Sequence, residues 1–358
     1  MNVRVLGSAP LIAGLLIALV LSIVWAGTYP VDDPYYTANT GWNGTSELMG
    51  RGFTPISANM SNSLSTQNPS ILMILAPSRN FTGGEADSIR NYVEGGGVLV
   101  LAGSFGAGNG LLRMLKIPVS FDKVIIVDAL FFYKQPIFPL VAHLPQSDLS
   151  KDINQLVLNN AVSLNVAAEA DVRILATSTP FSFLDLNHNG QKDPEEPSGP
   201  FPILAELELG QGMVLLFSSP ASFTNSMIGL SDNSVLIQNI IRIGTIPSRT
   251  ARLLDETHLI ASASTPTRML ARQMITSIFD GGMSGTLKVG LVAVALFVVA
   301  ARYGYRRPFS EKVNNGKVPG VSLDGDSVLR LHPSWKQAEL QYVQREIEAA
   351  MRWRLRDK

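Results

Sequence analysis

The sequence predicts an α/β domain with a mostly parallel sheet between helices, set between two membrane-spanning helices and followed by a cytoplasmic amphipathic helix. Three observations predict it: a strand–helix–strand unit with glycine turns over residues 71–102, an apolar segment near each end of the chain, and a periodic apolar stripe within residues 334–358.

Near the amino terminus, residues 11–25 carry no charge and are apolar enough to cross a hydrocarbon core of ~30 Å as a helix. Pro10 sits where a missing amide costs little. Arg4 before the segment and Asp32 and Asp33 after it orient residues 1–9 to the cytoplasm. The competing reading is a cleaved signal peptide ending near Val24-Trp25-Ala26, although the apolar run exceeds the about 7–15 residues of a signal core. Both readings export the chain beyond this segment, so residues 10–27 are expected to be the first span and 28–282 an extracytoplasmic domain.

Within that domain, Ile71-Leu-Met-Ile-Leu-Ala76 is a continuous apolar run between Asn68-Pro69 and Pro77-Ser78, the setting of a buried strand. Thr82 to Glu94 places Ile89, Tyr92 and Val93 at helical spacing and ends at Gly95-Gly96-Gly97. Val98-Leu-Val-Leu-Ala102 is the next strand, and such a crossover unit belongs in a parallel sheet. Val172–Ala176 and Gly212–Phe217 are further strand candidates, and Ser234–Ile241 is a helix candidate. Residues 124–142 are apolar but broken by Asp128, Lys134, Pro136 and Pro139, and the pattern assigns them to neither state.

The second span is expected over residues 283–301, with Lys288 snorkelling outward. Asp280 precedes it, and Arg302, Arg306, Arg307 and Lys312 come after it, so residues 302–358 are expected in the cytoplasm. A buried core helix is the alternative, since Gly282, Gly285 and Gly290 suit tight packing. In the tail, residues 308–326 read as a linker. Ser334 with Gln337 forms a capping-box pattern, and Leu340, Val343, Ile347, Met351 and Leu355 recur at three- and four-residue spacing. That stripe predicts a protein partner or the membrane surface, with a merely solvated helix as the alternative; Arg352, Arg354, Arg356 and Lys358 suit the helix carboxyl end and anionic lipid.

Composition excludes several classes of function. Lys+Arg and Asp+Glu both number 29, so no global field recruits nucleic acid. There is no cysteine, which removes disulfides, thiolate metal sites and sulfur redox chemistry. Two spans without polar lining residues form no transport pathway on their own. Asn43-Gly-Thr45, Asn59-Met-Ser61 and Asn80-Phe-Thr82 are sequons compatible with export.

Residues 185–196, Asp185-Leu-Asn187-His-Asn189-Gly190-Gln191-Lys-Asp193-Pro-Glu-Glu196, match the pattern of an EF-hand calcium loop. Asp185, Asn187, Asn189 and Asp193 supply alternating oxygens, Gly190 the sharp turn, Gln191 its carbonyl and Glu196 a closing bidentate carboxylate. Lys192 and Pro194 depart from paired EF-hands, so the loop is expected to be solitary. A plain Asn/Gly/Pro-rich surface turn is the alternative.

Several short motifs occur in a fixed order: Asn39-Thr-Gly-Trp-Asn-Gly-Thr-Ser-Glu-Leu48, Leu75-Ala-Pro77, Tyr92-Val-Glu-Gly-Gly-Gly97, Gly108-Asn-Gly-Leu-Leu112, Phe223-Thr-Asn225 with Asp232-Asn233, and Leu254-Asp-Glu-Thr-His258. In this order they resemble the domain of unknown function 4350, over about residues 35 to 260. The resemblance implies a flavodoxin-like sheet similar to class I glutamine amidotransferases, in an archaeal or bacterial membrane protein, with no activity established for the family.

Amidotransferases use a cysteine on a strand-to-helix turn, and this chain has none. The corresponding turn is Leu101 to Gly110. Ser104 is a weak replacement nucleophile there, because Ala102 breaks the G-x-S-x-G spacing. The amides around Gly103, Gly106, Gly108 and Asn109 form a candidate ligand pocket for a carboxylate, sugar or phosphate, without the Gly-Lys-Ser/Thr of a phosphate loop. The alternative is a tight structural turn with Asn109 bonding locally. In Leu254-Asp-Glu-Thr-His258, His258 is a weak catalytic candidate, and strand alternation turns Asp255 and Glu256 to opposite faces. The leading expectation is a non-catalytic membrane-anchored binding or scaffold protein, with a cell-envelope hydrolase as the alternative.

Overall fold

The computed structural model describes residues 21–280, apart from 26, 28, 30, 104, 143 and 246. Residues 21–25 and 27 are helical. The remainder of the first expected span, the whole second span at 283–301 and the tail stripe at 334–358 lie outside the described residues. Among the described residues, no helix is long and apolar enough to cross a membrane.

Strands and helices alternate over residues 46–114 and again over residues 233–280, with a run of strands between them. First come α1 (Ser46–Met49), β1 (Phe53–Ile56), α2 (Met60–Gln67), β2 (Ile71–Leu75), α3 (Gly83–Glu94), β3 (Val98–Ala102) and α4 (Ala107–Met114). Next are β4 (Val119–Asp128), β5 (Leu140–Val141), β6 (Leu156–Val157), β7 (Val162–Val166), β8 (Arg173–Thr177), β9 (Ser182–Leu184), β10 (Pro202–Leu209) and β11 (Gly212–Phe217). The last are α5 (Asn233–Ile243), β12 (Arg252–Asp255) and α6 (Thr265–Asp280).

The central sheet has the order β1-β12-β2-β3-β11-β10-β8. Its first five strands are mutually parallel, and β10 and β8 add an antiparallel edge. The expected mixed α/β architecture with a mostly parallel sheet is therefore present. Strand alternation divides the core in two. Met73, Leu75, Val100, Phe217 and Leu254 pack on one face with Leu236, Ile237 and Ile240 of α5. Leu72, Ile74, Leu99, Leu101 and Leu216 pack on the other with residues of α2, α3 and α4. Both faces are covered, which is why β2 and β3 read as unbroken apolar runs.

The segment that the sequence left unassigned forms the second half of the long β4 and the short β5. β4 pairs with β7 through its first half and with β9 through its second, with a register irregularity between Phe121 and Ile125. Buried Asp128 ends it, accepting from the amides of Leu130 and Phe131 at 2.9 and 2.7 Å. This is an Asx turn, and it accounts for the break in the apolar pattern.

The two ends of the domain hold each other. Asp33 Oδ2 accepts from Ser262 N at 2.7 Å and Thr265 Oγ1 at 2.5 Å, at the start of α6. Two turns further on, Arg272 donates to the carbonyls of Gly27, Ala38 and Tyr29 at 3.0, 3.1 and 3.4 Å. The residues after the first apolar segment are thus fastened to the helix that leads toward the second.

Candidate functional site at the carboxyl edge of the sheet

Parallel pairing brings the carboxyl ends of β1, β12, β2, β3 and β11 to one edge, with Ile56 opposite Asp255, Asp255 opposite Ile74, and Leu75 opposite Ala102 opposite Phe217. In open α/β sheets this is the edge at which ligands bind. Just past β2, Ala76 adopts φ 45°, uncommon for a residue with a Cβ. The chain then presents the amides of Ser78 and Arg79 to the His258 carbonyl at 2.8 and 2.9 Å, tying β2 to β12 beyond their last pair.

At the end of β12 the alternation expected from the sequence holds. Asp255 faces His258, whose Nδ1 lies 2.7 Å from Asp255 Oδ2. The other oxygen of Asp255 accepts from Thr257 N at 2.9 Å and Thr257 Oγ1 at 2.6 Å. The imidazole stacks on Phe81 with ring centroids 3.7 Å apart, and its Nε2 lies 3.6 Å from Glu85 Oε2. Glu85 belongs to a capping box: its carboxylate accepts from Thr82 N at 2.8 Å, and the Thr82 hydroxyl accepts from Glu85 N at 3.3 Å.

Burial alone would lower the His258 pKa, but the hydrogen bond and charge of Asp255, aided by Glu85, raise it above the ordinary histidine value. Burial opposes ionisation of Glu85 as well, yet its bonds from Thr82 and the nearby His258 hold its pKa below the usual range. A His–Asp pair is the orienting half of a catalytic triad. Here the second nitrogen faces a carboxylate, so the group pins α3 to β12. Ser104, the weak nucleophile candidate, lies outside the described residues.

Glu256 points the other way. Its Oε1 accepts from Thr37 N at 2.6 Å and from Thr37 Oγ1 at 2.8 Å. Its Oε2 is buried and has no hydrogen-bond partner among the described residues. Glu256 lines a cavity of about 540 Å³ with Tyr36, Arg79, Leu259, Met269 and Leu270. Burial raises the Glu256 pKa against the lowering effect of Thr37. Burial also raises that of Tyr36, with Glu256 adding to the effect. Sequence reasoning singled out the Asp-Glu-Thr-His cluster but missed Thr37, Tyr36 and Arg79, which come from distant segments.

The described residues of the expected glycine-turn pocket make several packing contacts. Gly106 sets the start of α4 with φ 116°, a conformation that suits only glycine. A Cβ on Gly103 or Gly108 would lie 3.2 or 3.5 Å from the Phe121 ring. Asn109 is buried, donating from Nδ2 to Phe121 O at 2.9 Å and accepting from Phe121 N at 2.8 Å. Its amide therefore fastens α4 to β4. The Glu256 cavity is lined neither by this turn nor by His258.

The loop between β9 and β10 carries the expected calcium ligands. Asp185 and Glu196 are buried at its two ends. Asp185 accepts from the amides of Asn189 and Gly190, both at 3.0 Å, and Glu196 from those of Leu186 and Asp193 at 2.7 and 3.1 Å. Gly190 has φ 72°, as the sharp turn requires. Asn187 and Asn189 turn their Nδ2 atoms onto Asp193 Oδ2 at 2.7 and 2.8 Å. Among the described residues, no three His, Cys, Asp or Glu side chains form a metal-binding group.

No curated protein matches the chain. Among solved structures, it is similar to the N-terminal domain of mmIFT52, at 19% identity and a TM-score of 0.45 over 60% of this chain and 95% of that one. It is also similar to a ThuA-like protein from Bacteroides uniformis, at 15% identity and a TM-score of 0.35 over 55% of this chain and 78% of the other. A β-galactosidase from Bacillus circulans matches at 12% identity and a TM-score of 0.30, over 49% of this chain and 23% of the enzyme. Residues 35–241, more than half of the chain, match the family described as Domain of unknown function (DUF4350), and the chain belongs to that family.

Proposed function

We propose that this chain is a non-catalytic, membrane-anchored binding protein whose amidotransferase-like, flavodoxin-like domain faces outward between spans at residues 10–27 and 283–301. The observation that carries the reading is the division of labour at the end of β12. The His–Asp pair is enclosed by Phe81, Thr257 and Glu85, while neighbouring Glu256 lines a cavity and has one buried oxygen unpaired among the described residues. Buried, unpaired polar atoms are uncommon and suit a site completed by a ligand. The absence of cysteine supports binding without amidotransferase chemistry. The cytoplasmic tail, through residues 334–358, passes occupancy to a cytoplasmic protein partner. Full-length protein should show ligand-induced thermal stabilisation from a metabolite panel without turnover. Labelling of the outward domain by a nucleophile-directed probe would favour the envelope hydrolase instead.

The loop at 185–196 fits calcium as its resident ion. Asp185, Asn187, Asn189, Asp193 and Glu196 would supply side-chain oxygens, and Gln191 its carbonyl, once the two asparagine side chains let go of Asp193 Oδ2. A bound ion would brace the β9–β10 connection. Millimolar calcium should raise the melting temperature over chelator in the wild-type protein and not in Asp185→Ala. Equal melting temperatures of the wild type with calcium and with chelator would rule the ion out.

A further inference from the structure

We propose that the cavity beside β12 binds a primary ammonium group carried on a small apolar body, with Glu256 Oε2 as its acceptor. This deepens the reading of the chain as a binding protein and rests on it. Glu256 is only 3% exposed, and its Oε1 already accepts two bonds from Thr37. The remaining oxygen is therefore fixed in place, buried and without a partner among the described residues. A donor that brings its own positive charge satisfies that oxygen and offsets the cost of keeping a carboxylate out of water.

The rest of the lining sets the ligand's body. Leu259, Met269 and Leu270 give the cavity an apolar wall, and Tyr36 belongs to the same lining. Arg79 is the opposing charge, but it is exposed, so water screens it. The buried carboxylate decides which charge enters. At about 540 Å³ the cavity has room for a four-carbon amine.

The test is thermal stabilisation and equilibrium binding of the full-length protein in nanodiscs with n-butylamine, butan-1-ol and butyrate at neutral pH. Butylamine should stabilise the wild type in a saturable way, butanol and butyrate should not, and Glu256→Gln should weaken butylamine binding at least about tenfold. No effect of butylamine, equal binding by Glu256→Gln, or a preference for butyrate would overturn the assignment. Should Glu256→Gln fail to fold, Ala58→Trp decides, since it fills the lining from an exposed position. Lost butylamine binding in folded Ala58→Trp supports the site, and retained binding overturns it. Failure of the amine leaves the non-catalytic reading standing, whereas that reading falls separately, to turnover or probe labelling.

Discussion

His258 Nδ1 lies 2.7 Å from Asp255 Oδ2 across the first turn after β12, and the same imidazole stacks on Phe81 ahead of α3. The pair links the sheet edge to the helix that covers it. Because the folded-state pKa of His258 is raised, its contribution to stability is complete below the unfolded value of about 6.5 and is lost as pH climbs through the folded one. His258→Asn should destabilise the protein by about 1–3 kcal/mol near pH 6 and by visibly less near pH 8.5. Denaturant melts of both proteins at the two pH values check this; a pH-independent difference would mean that charge plays no part.

Asn109 should matter for stability more than for any ligand. Asn109→Ala removes both side-chain partners of the Phe121 main chain at a buried position. The expected cost is on the order of 2–3 kcal/mol. Any ligand-binding signal of the folded protein should survive the substitution; abolished binding with an unchanged melt would return the glycine turn to the site.

The absence of cysteine makes topology directly testable. Asn80→Cys places one thiol on an exposed loop of the domain, and Ser334→Cys places one in the tail. In intact cells a membrane-impermeant maleimide should label the first and reach the second only after permeabilisation. The reverse pattern would invert the proposed orientation.

How much of the fold the sequence disclosed depends on where each segment is packed. β2, β3 and β11 are covered on both faces and read as plain apolar runs, so their positions were legible to within a residue. β10 was not assigned from the sequence, and the sense of β8 was not legible either, because alternation is the same for parallel and antiparallel neighbours. β4 was hidden by Asp122, Lys123 and the irregularity at which it passes from β7 to β9. The ordered motifs were legible as a family resemblance, and the structure gives several of them a shared purpose. Asn225 donates to the carbonyls of Asn39 and Gly41 and accepts from Glu47 N, while Asp232 accepts from the amides of Asn154 and Gln155. They fasten loops to one another. The cavity was illegible because Glu256 meets Thr37 across 219 positions and its far wall comes from α6. No local pattern encodes such a meeting.

Glu256 itself should behave as a carboxyl that burial keeps from ionising easily. Its folded pKa is raised, so the protonated form favours the fold, and stability declines as pH rises from the unfolded value of about 4.3 through the folded one. Glu256→Gln retains an acceptor for Thr37 and cannot ionise. Relative to wild type it should therefore gain melting temperature between pH 4 and pH 7. Thr37→Val removes the 2.8 Å hydroxyl bond that favours the charged carboxylate, and should push the Glu256 pKa higher still. Carbon-detected NMR titration of the glutamate side chains in the wild type and Thr37→Val reads both effects. A Glu256 that titrates at the ordinary value in both proteins would show that its carboxylate is solvated, and would remove the reason for it to seek a cation.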